Sequence, residues 1–350
     1  MAGHQLGSGT SGEVYRMVAL PAEFRLARYR FTLRLEQPWE VYGWAGSVLR
    51  GAFAWAFKRV TCVVRHRDCS RCLLHSQCAY TYLCETTPPA DAQVLRKLTA
   101  LPRPFVLEPP LAGRLPNPLS FSFGLVLIGR AIEYLPYFVL AFLELGQRGL
   151  GKQRVKYQVE AVTAERPKGG IVPIYAAEDE VLHDAEVAFT AADLHARACR
   201  LHTSPPYHLT LHFLTPTRLK FAGHSVPCIE FHHLIRALLR RLSSLCYFHC
   251  GTAWEVDFRG LIAQAGEIRT ARADLEWVPQ RRYSHRQERM VKIGGFVGSI
   301  TFAGDLTPFF PLLVAGEWVH VGKGCVMGLG RYGISLIKGP ESSVGGKNGE

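Results

Sequence analysis

The chain has 350 residues, 48% of them apolar and 20% charged, which is enough for two domains with real cores. Lys and Arg number 41 against 29 Asp and Glu, and the formal charge of +12 favours an acidic partner, either nucleic acid or an anionic membrane surface. A membrane-spanning role is excluded by the longest apolar segment, GLVLIGRAIEYLPYFVLAFLEL, whose Arg130, Glu133 and Glu144 would be costly in a bilayer.

Residues 1–20 contain neither a long apolar centre nor a small-residue cleavage site, so the expected location is cytoplasmic. They read as a flexible leader, with Met17 as an alternative start. The segment LGSGTSGEV fits a kinase glycine loop, and His66, Arg67 and Asp68 spell the catalytic-loop triplet. Leu73 nevertheless stands where the kinase asparagine belongs, and there is no DFG, so no nucleotide cofactor is expected.

Residues 21–165 read as a first domain. A strand at 24–36 leads into a helix at about 45–60, where Val48, Leu49, Phe53, Ala56 and Phe57 recur at helical spacing. Strands near 103–109 and 119–129, a helix near 131–147 and a strand near 153–163 complete a β-α-β-β-α-β order, the ferredoxin-like plan.

An insertion at 62–84 carries five of the ten cysteines, and this clustering is unlike the framework of a secreted scaffold. Cys62, Cys69, Cys72 and Cys78 are the expected metal ligands, with the CSRC pair spaced so that two thiolates can reach one ion from a tight turn. Structural zinc is the first reading, an iron-sulfur cluster the second, and metal-free buried thiols the third. Cys84 is a spare ligand or a core residue, and His66 and His75 are competing ligands. No catalytic role is assigned to this site.

Residues 166–205 read as a linker, and 206–338 repeat the first plan, followed by a disordered tail at 339–350. The repeat consists of a strand at 206–221, a helix at about 228–248, strands near 268–278 and 289–303, a helix near 305–316 and a strand near 330–337. Arg236, Arg240 and Arg241 fall off the apolar stripe of the long helix and read as a solvated face.

Two segments of this half carry chemistry. In RRYSHRQERMVKIGG, the cations Arg281, Arg282 and Arg286 flank Tyr283, His285 and Gln287, a composition suited to phosphate contact, base stacking and edge reading. In HVGKGCVMGLGRYG, Gly322, Gly324, Gly328 and Gly330 surround Lys323 and form a backbone that a polyanion can approach closely.

RYSHRQ, the following GGF-G-I strand, GDL with its apolar helix, and GEWVHVGKGCVMGLGRYGI resemble the RAMP-superfamily endoribonucleases that cut CRISPR precursor RNA, the sixth Cas protein family. The likeness is close over Trp277 to Ile337 and thin in the first half. It implies an α+β fold of two tandem ferredoxin-like, RRM-like domains around a cleft. It also implies cleavage of CRISPR repeat RNA by 2′-OH attack without a metal, leaving 2′,3′-cyclic phosphate and 5′-OH ends. The alternative is a non-catalytic RAMP subunit that binds guide RNA in an effector complex; CRISPR effector or adaptation proteins are candidate partners under either reading.

Many relatives place a catalytic histidine just after the first strand. Here EQPWEVYGWAGSVLRG holds none, which leaves Tyr42, Arg50 and Lys58 in that region. His285 and His320 are the other catalytic candidates; His320 matches a family position, but its alternating setting, EWVHVGKG, equally suits a packed histidine. Arg281, Arg282, Tyr283, Arg286, Gln287, Lys323 and the four glycines are the expected RNA-binding set.

Overall fold

The computed structural model describes residues 17–65, 68–86, 101–111, 118–201, 207–226, 228–284 and 288–338. Strand β1 (Arg25–Leu35) alternates with period two, and Ala27, Tyr29, Phe31, Leu33 and Leu35 all point into one core. Helix α1 (Ala45–Thr61) buries Leu49, Phe53, Ala56 and Phe57 against it, and the short α2 (Ala79–Cys84) closes the cysteine segment.

Strands β2 (Phe105–Glu108) and β3 (Ser120–Ile128), helix α3 (Leu135–Arg148) and strand β4 (Tyr157–Glu165) follow. The sheet is antiparallel, in the order β2-β3-β1-β4 with β5 (Ile171–Ala176) added at the edge. Helices α1 and α3 cover one face, where Phe53 and Phe138 stack with ring centroids 4.6 Å apart.

The expected linker is built structure over much of its length. Besides β5 it contributes β6 (Phe189–Thr190), paired with the start of β1, and α4 (Ala191–Leu201). Val18 and Leu20 of the expected leader are also buried, and the Val18 amide donates to the Pro308 carbonyl at 3.1 Å. The remaining leader, residues 1–16, and the tail at 339–350 lie outside the described residues.

The second half opens with β7 (Tyr207–Thr217), the two-residue strands β8 (Lys220–Phe221) and β9 (His224–Ser225), and α5 (Phe231–Leu245). Glu230 and His233 form a reciprocal cap at the start of α5. A helix missed in the sequence, α6 (Phe258–Glu267), begins at Asp257, whose carboxylate accepts from the amides of Arg259 and Gly260.

Strand β10 (Arg269–Val278) is as expected, but the strand anticipated at 289–303 is two elements. Residues Arg289–Lys292 (β12) pair with Arg281–Ser284 (β11) as a separate hairpin, and Gly295–Gly304 (β13) joins the sheet. Helix α7 (Phe310–Val319) and β14 (Tyr332–Lys338) complete an antiparallel sheet in the order β10-β13-β7-β14. Leu26, Val106, Val126 and Ile128, on the far face of the first sheet, belong to the same core as Leu209, Leu234 and Leu313 of the second half. The two sheets are therefore joined through a continuous apolar interior.

Candidate active site and nucleic-acid interface

Three segments converge where the halves meet. The Trp44 indole nitrogen, at the N-cap of α1, donates to the Met327 carbonyl at 2.6 Å. The α1 backbone lies so close to the glycine loop that a Cβ at Gly46 would run into that same carbonyl. Ile293, Met327 and Leu329 form a small buried cluster against Trp44, Val291 and Val326, so α1, the glycine loop and the β11–β12 hairpin share one floor. Above it opens a cleft of about 1890 Å³ between the two halves.

The cleft is cationic. Arg218, Lys220, Arg240, Arg241 and Lys323 line the side formed by the second half, and Arg50 faces Arg282 near the hairpin. Burial and the neighbouring charges of Lys220, Arg240 and Arg218 lower the Lys323 pKa, and burial and Arg50 lower that of Arg282. Three of these arginines hold buried nitrogens without a hydrogen-bond partner: Nε of Arg218, Nη2 of Arg241 and Nε of Arg282. Buried donors left unmatched beside like charges are what an absent anion would satisfy.

Two family models match parts of the chain. Residues 211–332 match the model of the CRISPR-associated endoribonuclease Cas6. The second half therefore resembles a Cas6 endoribonuclease domain. Residues 24–187 match a family described only as an N-terminal domain, and curated protein sequences give no significant match. Among solved structures, the chain resembles a partial Cas6-RT-Cas1–Cas2 complex at 15% identity and TM-score 0.55, covering 91% of this chain and 47% of that one. It resembles Thermus thermophilus Cas6 at 16% identity and TM-score 0.51, covering 90% of this chain and 99% of that one. A Cas6 product complex matches at 17% identity and TM-score 0.50, covering 89% and 99%. These structures share the fold, and the chain spans about half the length of the first of them.

The expected site residues fall in different places. Arg281, Arg282 and Tyr283 are brought to the cleft on β11, with Tyr283 half exposed opposite Met290. His285, Arg286 and Gln287 lie outside the described residues, between β11 and β12. Gly322, Lys323 and Gly324 line the cleft.

Gly328 and Gly330 do not. Both are buried, and their amides are spent inside the protein, on the Cys325 carbonyl at 2.8 Å and the Pro216 carbonyl at 3.2 Å. At φ +75, a Cβ on Gly330 would meet the Val321 carbonyl, so packing is what demands glycine here. The expectation of a phosphate-holding glycine backbone therefore narrows to the first half of the loop.

The catalytic expectation for His320 is corrected. The ring is fully buried at the C-cap of α7, with Nε2 3.0 Å from Glu108 Oε1 and Nδ1 3.2 Å from the Leu329 carbonyl. Neither nitrogen is left to meet a substrate. The Arg28 guanidinium binds the other oxygen of Glu108 at 2.7 Å, and Arg331 lies 3.8 Å from the first. His320, Arg28 and Arg331 hold the Glu108 carboxyl down at about 2 despite its burial.

Lys58 is also displaced from the cleft, because its ammonium lies over the Tyr80 ring at 5.2 Å and beside the Cys69 thiol. Tyr42 does line the cleft, 69% exposed, its hydroxyl donating to Glu40 at 2.7 Å. Arg240 and Arg241, expected on a solvated face, line the cleft instead, and Arg241 donates to the Val319 carbonyl at 2.7 Å.

The four expected metal ligands sit at element ends. Cys62 is the C-cap of α1, Cys69 and Cys72 bracket a single 3₁₀ turn, and Cys78 is the N-cap of α2. Among the described residues, the group whose ligand atoms gather within 4.8 Å of one another is Glu230, His232 and His233, not these thiols.

Proposed function

We propose that this chain binds CRISPR repeat RNA along the cationic cleft and cuts the precursor transcript as an endoribonuclease. The observation that carries this reading is the set of unmatched buried guanidinium nitrogens on Arg218, Arg241 and Arg282 in a cleft where, among the described residues, the lining acids are only Glu40 and Glu85. Phosphates supply the acceptors that these donors lack.

The chemistry proposed is transesterification within the RNA. A base takes the 2′-hydroxyl proton, the 2′ oxygen bonds to the adjacent phosphorus, the bond from phosphorus to the 5′ oxygen breaks, and that oxygen takes a proton. The products are a 2′,3′-cyclic phosphate and a 5′-hydroxyl, and no metal enters the step. Arg50 and Arg282 stabilise the charge on the phosphorane; Tyr42, which lines the cleft, and His285 are the acid and base candidates. The architecture proposed is two ferredoxin-like units, supported by the order 2-3-1-4 of the four principal strands in each sheet.

A second reading, a guide-binding subunit without activity, is favoured by one observation: among the described residues no histidine lines the cleft. End analysis of products from repeat RNA incubated in EDTA separates the two. Fragments bearing a cyclic phosphate support the endoribonuclease, and intact RNA that stays bound supports the subunit. The resemblance to about half of a chain in a Cas6-RT-Cas1–Cas2 complex supports adaptation proteins as partners.

The cysteine segment is proposed to hold a structural zinc ion. Among the described residues from 62 to 78, those turned even partly inward are Cys62, Cys69, Cys72, His75 and Cys78, while every other side chain is exposed. A segment with no apolar interior needs another source of order, and zinc-thiolate binding contributes about 10 kcal/mol or more.

A further inference from the structure

The solvent-facing positions of α1 are Gly51, Trp55 and Arg59, spaced four apart along one stripe. Two of these residues are wrong for a water-facing helix. Glycine in a helix interior weakens it relative to alanine, and nothing lies within 4 Å of where a Gly51 Cβ would stand, so packing does not demand it. Trp55 leaves 38% of its surface in water.

Both residues line the cleft, on the side formed by the first half. Helical side chains lean towards the N-terminus, which brings position 55 over position 51, so the missing side chain leaves a gap beside the indole. The indole is held in place: the Arg148 guanidinium, on the last turn of α3, lies 3.6 Å from its ring centroid. Arg59 lies 5.7 Å from the same ring and is itself tied to Glu144 at 2.7 Å.

We propose that Trp55 and Gly51 form a nucleobase pocket on α1, where one unpaired base of the bound RNA stacks on the indole and occupies the gap above Gly51. An exposed tryptophan also suits a protein partner, but Arg50, Arg148 and Lys152 line the same side of the cleft and favour a polyanion. Aromatic and guanidinium planes together are a common stacking surface for single-stranded RNA. The site rests on the RNA-binding reading above and extends it along α1, away from the glycine loop.

The test uses the full chain and two fluorescent probes, an oligoadenylate of about sixteen nucleotides and a ribose-phosphate strand of equal length without bases. The wild type should prefer the oligoadenylate, and Trp55→Ala should lower that preference by about fivefold or more while leaving affinity for the baseless strand unchanged. Trp55→Phe should keep most of the preference. Gly51→Leu, which fills the gap, should reduce it while raising the melting temperature, because leucine is the better helix former. Equal loss on both probes, or an unchanged preference in both Trp55→Ala and Gly51→Leu, overturns the pocket and leaves RNA binding intact. Failure of the wild type to bind either probe overturns the RNA-binding reading and the pocket with it.

Discussion

His320 and Glu108, 212 residues apart, meet at 3.0 Å across the junction of the two sheets, with both side chains almost wholly out of solvent. One comes from the end of α7 and the other from the end of β2, so the pair ties the second half to the first. The His320 backbone holds φ 59, ψ 173, a conformation that costs a non-glycine residue energy and persists only when its surroundings fix it.

Removing the ring should therefore cost stability and not chemistry. His320→Ala leaves Glu108 buried with Arg28 still bound, and it should destabilise the protein by about 2–3 kcal/mol. Single-turnover cleavage per folded molecule, measured well below the melting temperature, should stay within about threefold of wild type, since loss of a proton-transfer group costs at least about 100-fold. A rate loss of that size without a change in melting temperature would restore His320 as a catalytic residue.

Acid should weaken the fold in two stages. Burial holds the His249 pKa at about 4, with its ring bonded to the Pro102 carbonyl and near the Tyr82 hydroxyl. An unfolded histidine titrates near 6.5, so below that pH the unfolded chain takes up a proton that the folded chain refuses, and stability falls down to about pH 4. His249 alone contributes about 3 kcal/mol to this loss. Glu108, depressed from 4.5 to about 2, adds a second loss across that lower window. Denaturant midpoints between pH 7.5 and 4 should fall for the wild type and flatten in His249→Gln; equal slopes would refute the assignment.

The zinc proposal predicts about one zinc per chain in purified protein. Cys69→Ser should lower the melting temperature while cleavage persists at permissive temperature, because Cys69 lies outside the cleft lining. Metal-free protein with an unchanged melting temperature, or a brown chromophore, would count against it.

Lys323 and Arg282 should each account for about one phosphate contact. Alanine at either position should reduce the salt dependence of RNA binding by about 0.7 in log-log slope for single-stranded RNA. An unchanged slope in both variants would place the RNA elsewhere on the surface.

Much of the fold was legible because it is written in local periods. The alternation of β1 and the apolar stripes of α1 and α5 follow from backbone geometry. The break of the strand expected at 289–303 was missed although Gly294-Gly295 is a turn signal, because the residues on both sides of it read as strand. Helix α6, with ten residues, was too short for its stripe to stand out, though Asp257 was a capping signal.

The site was less legible. Arg282, Tyr283 and Lys323 could be found because cations beside aromatics and glycines form a local pattern. Arg218, Lys220 and Arg241 act through where β7, β8 and α5 end in space, and Glu108 becomes meaningful only with Arg28, Arg331 and His320 around it. A carboxylate closing β2 at the end of an apolar run was the one signal that could have marked it.

The most direct test of the central claim is single-turnover cleavage of repeat RNA in EDTA, with an all-ribose strand beside one carrying a single 2′-deoxy residue at the cut. The account predicts full cleavage of the first, with a 2′,3′-cyclic phosphate end, and none of the second. Cleavage of the deoxy strand, or a reaction that requires Mg²⁺ and leaves a 3′-hydroxyl, would contradict it.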